Sequence, residues 1–440
     1  MQTLCYPKPF PVFPKIPLRW AGCLFASALA LGLALSEGSS AASVYPLPSP
    51  PAVGREAWVK SNRTTIASAR RTFQESLAAG VRSTVRPEYE NTLGEVVFSA
   101  PRRTDKRYPI ADFEDIFATL PSYTRIHVFV PDAAVDLAED QLDELDLEER
   151  SKVYGVKSEF LTGRWKSWSD TAIRNAAIWM RDIVLVGATG EGPRIYQPLA
   201  YNATSDLRNN DTDFIRELES DDPRLKVVPF PYFIRGGNLE MGEIDGRLVA
   251  FIGANEVEFN IAALPILNQD ELGRDAIAQG FLEAVKLVTG ADRVVVLPNS
   301  ELVFHLDQAL VFLAPGRVGV LKSVDGLPFQ PEEERMFAEI RRSLADNGFS
   351  IVDIPTSPGH LQRYESSANA LLFRNRESGR QTALVPRFGD AEVTWEGRPN
   401  QSLSALVAEV FRREGFEVVY VKDAFHALRG NLHCVTLPLN

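Results

Sequence analysis

Residues 238–253 alternate apolar and polar side chains on both sides of Asp245-Gly246, a pair that favours the tight turn of a β-hairpin. Residues 270–289 then place Ile277, Phe281, Val285 and Val288 on one helical stripe, and Gly290 follows as a stop. Residues 293–297, Arg-Val-Val-Val-Leu, read as a buried strand. The order is hairpin, helix, strand.

The same order returns in 308–322 with Pro315-Gly316 at the turn, a helix over 331–347 ended by Gly348, and a strand over 349–354. A third copy runs through 370–386, 402–414 ended by Gly415, and 416–421. A fainter one starts at Ala177, with a turn near 190–192, a helix over 212–218 and a strand over 225–229. The faintest comprises strand 95–100, helix 110–119 and strand 125–130. A repeat of about sixty residues in five copies implies a closed ring, because one such unit cannot bury its own sheet face and a linear array needs capping ends. Residues 435–439 supply the missing half of the first hairpin, so the two ends of the chain are expected to pair. Ahead of the repeats, 56–86 has loosely helical spacing and 45–53 holds four prolines, an extended linker.

The first 42 residues change the picture of location. Lys8, Lys15 and Arg19 stand without an acid before an apolar run over 21–35, and Ser39-Ser40-Ala41-Ala42 follows: the order of a secretory signal, with cleavage near Ala41 or Ala42. The run is short for a membrane span, and Cys23 precedes it, which argues against a lipoprotein anchor. The expected organisation is a signal peptide over 1–42, a Pro-rich linker and N-terminal helix over 43–94, and one catalytic domain over 95–440. Export implies a secreted or periplasmic protein. Removing the signal takes the formal charge from −11 to −13 and leaves Cys434 as the one cysteine of three, so no internal disulfide and no cysteine metal cluster remain.

With 47 basic and 58 acidic residues and a pI near 5.2, the chain offers a nucleic-acid backbone no general attraction, while a cationic small molecule is favoured. At 45% hydrophobic and a mean hydropathy of −0.11, it has a full core and excludes both wholesale disorder and a multi-span membrane protein.

One polar residue begins the hairpin of each repeat: Asp182, Asn238, Asp307, Asn369 and Cys434, separated by 56, 69, 62 and 65 positions. Related by rotation, these five meet near one axis. His305 stands two places before Asp307, on the same face if the chain there is extended. A cysteine is a good nucleophile once its thiolate is stabilised, as a neighbouring imidazolium does. Two carboxylates in a closed pocket need a cation, and a planar guanidinium satisfies both through its forked donors. The set suits attack on a guanidinium carbon. Singly, each residue also has a plain structural explanation: Asp182 in a turn, Asp307 as a cap, His305 as a satisfied core histidine, Cys434 as core filler. Their common register in five repeats is what argues for chemistry. The remaining histidines carry less: His433 points away from Cys434 in an extended chain, and none of His127, His360, His426 or His433 has metal-ligand spacing, so no metal and no cofactor are expected.

The segments Trp-Met-Arg-Asp (179–182), Gly-Gly-Asn (236–238), His-Leu-Asp (305–307), Ala-Asn-Ala-Leu-Leu (368–372) and Gly-Asn-Leu-His-Cys (430–434) follow in an order and spacing that resembles the guanidino-group-modifying, or pentein, superfamily. Within it the sequence is most similar to agmatine deiminases and bacterial peptidylarginine deiminases, over residues 95–440. The resemblance implies a five-bladed α/β propeller of hairpin-helix-strand repeats and a covalent thiouronium route. In it Cys434 attacks the guanidinium carbon, Asp182 and Asp307 hold its nitrogens, and His305 protonates the departing ammonia and then activates water. Asn238 and Asn369 match polar positions lining the substrate pocket. One departure is Arg235, where such proteins commonly carry an acid before Gly-Gly; it reads either as a solvated surface arginine or as a reader of a substrate carboxylate.

These readings make the chain an exported hydrolase acting on linear amidines, with a guanidino small molecule or an arginine-containing peptide as substrate. The same five residues also serve an amidinotransferase, in which an amine replaces water. A catalytically silent binding module of the same fold is the third possibility, against which the presence of Cys434, His305, Asp182 and Asp307 speaks.

Overall fold

Residues 55–78 form a single helix in the computed structural model, α1 (Arg55–Ala78), which buries Trp58, Val59, Asn62, Ile66, Ala69 and Phe73 along one side. The model describes residues 47, 55–79, 83–100, 110–156, 179–201, 207–208, 213–268, 273–423, 425–426 and 430–439. The expected signal segment, including Cys5 and Cys23, lies outside these residues, as does most of the linker. Helix α1 ends eight residues short of the expected 56–86 boundary, just before Ala79-Gly80. No helix among the described residues is long and apolar enough to cross a membrane.

After α1 the chain folds into small mixed sheets. The first comprises β1 (Glu95–Ser99), β2 (Arg125–Pro131) and β3 (Ser151–Val156), all parallel, with α2 (Glu114–Thr119) and α3 (Val135–Glu144) between them. The second comprises β4 (Leu185–Thr189) and β5 (Gly192–Gln197), antiparallel, with β8 (Lys226–Pro229) parallel to β5. The ribbon β6 (Ala200–Tyr201) and β7 (Leu207–Arg208) and helix α4 (Asp213–Asp221) fill the connection.

The third sheet repeats that plan with β9 (Leu239–Ile244), β10 (Arg247–Gly253) and β11 (Arg293–Leu297). Its hairpin turns on Asp245 and Gly246 at φ 51° and 73°. Both central residues are left-handed, as a type I′ turn requires and as Asp-Gly tolerates well. Two helices precede β11: α5 (Ala254–Asn268) and α6 (Arg274–Thr289), the latter closed by Gly290 at φ 68°. Helix α6 has the expected one-sided stripe. Helix α5 was not legible, because Ala262-Ala263-Leu264-Pro265-Ile266-Leu267 is apolar around its circumference and marks no single face.

In the fourth sheet β12 (Leu310–Ala314), β13 (Arg317–Ser323) and β14 (Ser350–Thr356) follow the same order, with α7 (Pro331–Asp346) started by Pro331 and three glutamates in its first turn. After the short α8 (Pro358–Gln362), the fifth has β15 (Leu371–Arg374), β16 (Gln381–Arg387) and β19 (Phe416–Lys422), interrupted by the hairpin β17 (Glu392–Trp395) and β18 (Arg398–Ser402) and by α9 (Leu403–Arg413). The chain ends in α10 (Leu432–Val435) and β20 (Leu437–Pro438). Strand β20 lies antiparallel to β1, pairing Val96 with Pro438 and Val97 with Leu437, so the first sheet takes its antiparallel partner from the C-terminal end.

Apolar clusters join successive sheets. Phe251 stacks on Phe312 at 5.1 Å, and Phe349 meets both edge-on, linking the third sheet to the fourth. Leu371, Phe373, Leu384 and Val421 of the fifth pack with Val96, Phe98, Ile126 and Val128 of the first, and Val97 and Phe129 pack with Ile195 and Leu437. On α1, Phe73 meets Tyr196 and Phe230, and Tyr232 continues the aromatic line to Phe281 on α6. Each fully buried phenylalanine contributes roughly 1.5–3 kcal/mol by leaving water, enough to hold the hairpin ends, and the turns on them, in fixed positions.

Candidate active site

A tight turn precedes the first hairpin strand of each repeat. Three are 3₁₀ turns, Met180–Asp182, Gly236–Asn238 and Leu306–Gln308; the fourth closes with the Asn369 amide on Ser366 O; the fifth is α10. A turn of this kind reverses the chain as it enters a strand, which aims one polar side chain inward while the strand beneath is anchored in the apolar core. The turn at 236–238 packs against both 180–182 and 306–308, and α10 packs against 180–182.

Those contacts bring the sequence-designated residues together. Cys434 donates its thiol to Asp307 Oδ2 at 3.3 Å, and Asn369 Nδ2 lies 3.4 Å from the same sulfur. His305 Nδ1 stands 3.7 Å from Asp182 Oδ1, which also accepts the Gly237 amide at 3.3 Å. Gly237 is the point where the two halves meet. A Cβ there would lie 2.8 Å from Asp307 Oδ2, 3.0 Å from His305 Nδ1 and 3.3 Å from Asp182 Oδ1, so a side chain at this position would push the site apart. Asp307 and His305 are almost wholly buried, whereas the Asp182 side chain keeps 18% of its surface.

The other two designated residues act on the backbone of the site. Asn238, fully buried, accepts the Leu306 amide at 3.1 Å and donates to Asn255 and to Glu256 Oε1, fastening the turn that carries His305 and Asp307. Asn369 donates to Asp307 O at 3.3 Å and accepts the His433 amide at 2.8 Å.

Burial raises the Asp182 carboxyl above its ordinary range, with Asp307 adding to the effect. Burial acts the same way on Asp307, but a hydrogen bond and the charge of His433 outweigh it and hold that carboxyl below its usual value. Burial and the charges of Asp307 and Asp182 push the Cys434 thiol well above its usual range, so the resting sulfur is protonated. At rest the site therefore holds a neutral thiol on a carboxylate.

His433 departs most from expectation. The chain at 432–435 is helical and not extended, and the imidazole turns inward, with Nδ1 2.9 Å from Asp307 Oδ2 and Nε2 2.6 Å from Glu88 Oε1. Glu88 lies in the 3₁₀ turn Glu88–Glu90, ahead of the repeats, and pairs with Arg181. Nothing in the periodicity signals Glu88. The one sequence signal for His433 was its place beside Cys434. Arg235 is not a solvated surface residue: its guanidinium lies 3.1 and 3.2 Å from the oxygens of fully buried Glu256 and 5.2 Å over the Phe259 ring. Among the described residues, no group of three or more His, Cys, Asp or Glu side chains is arranged to hold a metal ion.

Two buried carboxylate oxygens of this cluster have no hydrogen-bond partner among the described residues, Asp307 Oδ1 and Glu88 Oε2, and the first belongs to the carboxylate that accepts the Cys434 thiol. A buried carboxylate with one oxygen open, its other oxygen on a thiol and a second carboxylate close enough to feel its charge, is chemically a seat for a cation with several N–H donors.

No protein-family model and no curated protein sequence matches the chain. Solved structures do. Agmatine deiminase from C. jejuni is 12% identical with a TM-score of 0.53, over 81% of this chain and 95% of its own. A Cys-to-Ser variant of that enzyme with substrate bound is 11% identical with a TM-score of 0.53, over the same shares of both chains. A candidate arginine deiminase from Porphyromonas gingivalis is 18% identical with a TM-score of 0.55, over 80% of this chain and 96% of its own. The chain shares the pentein fold of these proteins.

Proposed function

We propose that the protein is an exported, cysteine-dependent hydrolase that deiminates a guanidino group to a ureido product and ammonia. The observation that carries this reading is the cluster around Asp307: a buried thiol on Oδ2, an unpartnered Oδ1, and Asp182 and His305 gathered with it over the bare face of Gly237. The solved deiminases of the same fold support the substrate class.

In this mechanism a guanidinium enters past Asp182, the most exposed of the four side chains, and donates N–H groups to Asp182 and to Asp307 Oδ1. Its positive charge offsets the two carboxylates that, with burial, keep the thiol protonated, so Cys434 passes its proton to His305 as the cation arrives. The sulfur attacks the guanidinium carbon; a C–S bond forms and the C=N electron pair moves onto nitrogen. His305 gives a proton to that nitrogen, the C–N bond breaks, and ammonia leaves a thiouronium on Cys434. Water adds to the same carbon while His305 takes its proton. The C–S bond then breaks, releasing the ureido compound, and the sulfur recovers a proton. Asn369 steadies Cys434 and Asn238 fixes the His305 turn.

The five sheets are the blades of one closed propeller over 95–440. The β20–β1 pairing and the apolar clusters between successive sheets support this reading. The signal over 1–42 directs export, and a single surviving cysteine suits an oxidising compartment because it has no partner with which to form an internal disulfide.

The test is a colorimetric ureido assay of the mature chain with agmatine, free arginine, an arginine-containing peptide and methylated arginines. A ureido product from one of them is the expected result. No product from any, together with no covalent adduct on Cys434 from an amidine electrophile, would overturn the reading.

A further inference from the structure

His433 has no part in those steps, yet it is buried in the midst of the cluster that performs them. A carboxylate oxygen lies within hydrogen-bond distance of each ring nitrogen, Asp307 Oδ2 at 2.9 Å and Glu88 Oε1 at 2.6 Å. Carboxylates only accept, so both nitrogens must donate, and a ring with two N–H groups is an imidazolium. Glu88 is in turn held by Arg181, whose Nε also donates to His433 O at 3.2 Å. The cluster runs unbroken from Arg181 through Glu88, His433 and Asp307 to Cys434, across four separate turns. Asp307 Oδ2 takes a proton donor from each side, which leaves Oδ1 as its open oxygen.

We propose that His433 and Glu88 are positioning residues of the cation site: the imidazolium, clamped by Glu88, holds Asp307 ionised with Oδ1 turned to the substrate and offsets the charge that opposes thiol ionisation. This rests on the deiminase reading and extends it to a residue outside the five repeats. A neutral His433 could donate to only one of its two carboxylates, leaving the other buried without its partner. An uncharged residue at 88 would remove what holds the second proton on the ring.

The direction of the titration follows from the charged groups that face the ring: Asp307, Glu88, Arg181 and Glu240. Burial and Arg181 lower the His433 pKa, but Glu88 and Asp307 prevail and raise it to about 9 from 6.5. Glu240, pushed up to about 8 by burial, is largely neutral near pH 7. A raised histidine pKa means the charged ring is present at lower pH and is lost as pH rises through about 9. In Glu88→Gln the clamp loses its charge and Arg181 loses its partner, and both changes move that loss to lower pH.

The experiment compares wild type with Glu88→Gln, Glu88→Asp and His433→Gln, reading kcat/KM across pH. Glu88→Gln is expected to stay within about threefold of wild type near pH 6 and to fall at least about tenfold near pH 8.5, where its ring is neutral. Glu88→Asp, which keeps the charge, restores much of the loss near pH 8.5, and His433→Gln is impaired across the range. Nitrogen NMR of the imidazoles in the same proteins is expected to show the His433 midpoint falling in Glu88→Gln. A loss of equal size at every pH, or an unmoved midpoint, overturns the proposal. If wild type makes no ureido product, the deiminase reading fails by itself, and the NMR midpoint together with the pH dependence of Cys434 alkylation still decides the role of Glu88.

Discussion

Cys434 and Asp307, 127 positions apart in the chain, share a hydrogen bond of 3.3 Å between the thiol and Oδ2. The carboxylate that would anchor the substrate therefore also adds to the effect of burial in keeping the resting nucleophile protonated. Asp307→Asn should separate these two roles. Removing the charge lets the thiol ionise more readily, so alkylation of Cys434 by iodoacetamide near neutral pH should become faster. Turnover should fall with a rise in KM of roughly 10-fold to 100-fold, matching the 1.5–3 kcal/mol of a lost charged hydrogen bond. Slower alkylation together with an unchanged KM would contradict both assignments.

Cys434→Ala should abolish ureido formation and leave the melting temperature close to that of wild type. The side chain is small, and its polar contacts are with Asp307 and Asn369, both of which retain other partners. A fully active Cys434→Ala protein would remove the covalent route altogether.

His305→Gln should lower kcat by about 10²–10⁴-fold with little change in KM, since proton transfer to the leaving nitrogen matters in the transition state more than in binding. Equal losses in kcat/KM and in the affinity of an inert guanidinium ligand would instead make His305 a binding group.

The sequence made most of the repeat readable and pointed to six residues that the turns bring together, but not to Glu88 or the inward His433. Asp245-Gly246, the α6 stripe and Gly290 each state a local rule that tertiary packing leaves intact, and they formed as expected. Helix α5 and the pair α3–β3 were not readable, because α5 carries apolar Ala262, Pro265 and Ile266 on its half-buried face and so shows no polar period, and an acid-rich segment carries little. Among the site residues, Asp182, Asn238, Asp307, Asn369 and Cys434 were visible through register, a property of repeats. Glu88 lies outside every repeat. The inward turn of His433 depended on α10 being helical, and four residues are too few to declare a helical period.

Arg235 supplies the last test. Its guanidinium lies 3.1 Å from Glu256 Oε1, and that oxygen also accepts from Asn238 Nδ2 at 3.2 Å. Asn238 Oδ1 then holds the amide of Leu306, between His305 and Asp307, at 3.1 Å. Arg235→Met should thus act through a buried carboxylate left without its cation, at a cost of about 1–3 kcal/mol once the partial exposure of the arginine is allowed for. The double variant Arg235→Met/Glu256→Met should be less destabilised than the sum of the single variants, because it removes both charges together. If Arg235 read a substrate carboxylate, Arg235→Met would raise KM for arginine and spare agmatine, which has none. The ion pair with Glu256 predicts the other outcome: kcat falls for both substrates as the 305–307 turn loosens, and the ratio of their kcat/KM values stays within about threefold of wild type. Melting curves of the three variants and kinetics on the two substrates distinguish a brace from a substrate reader.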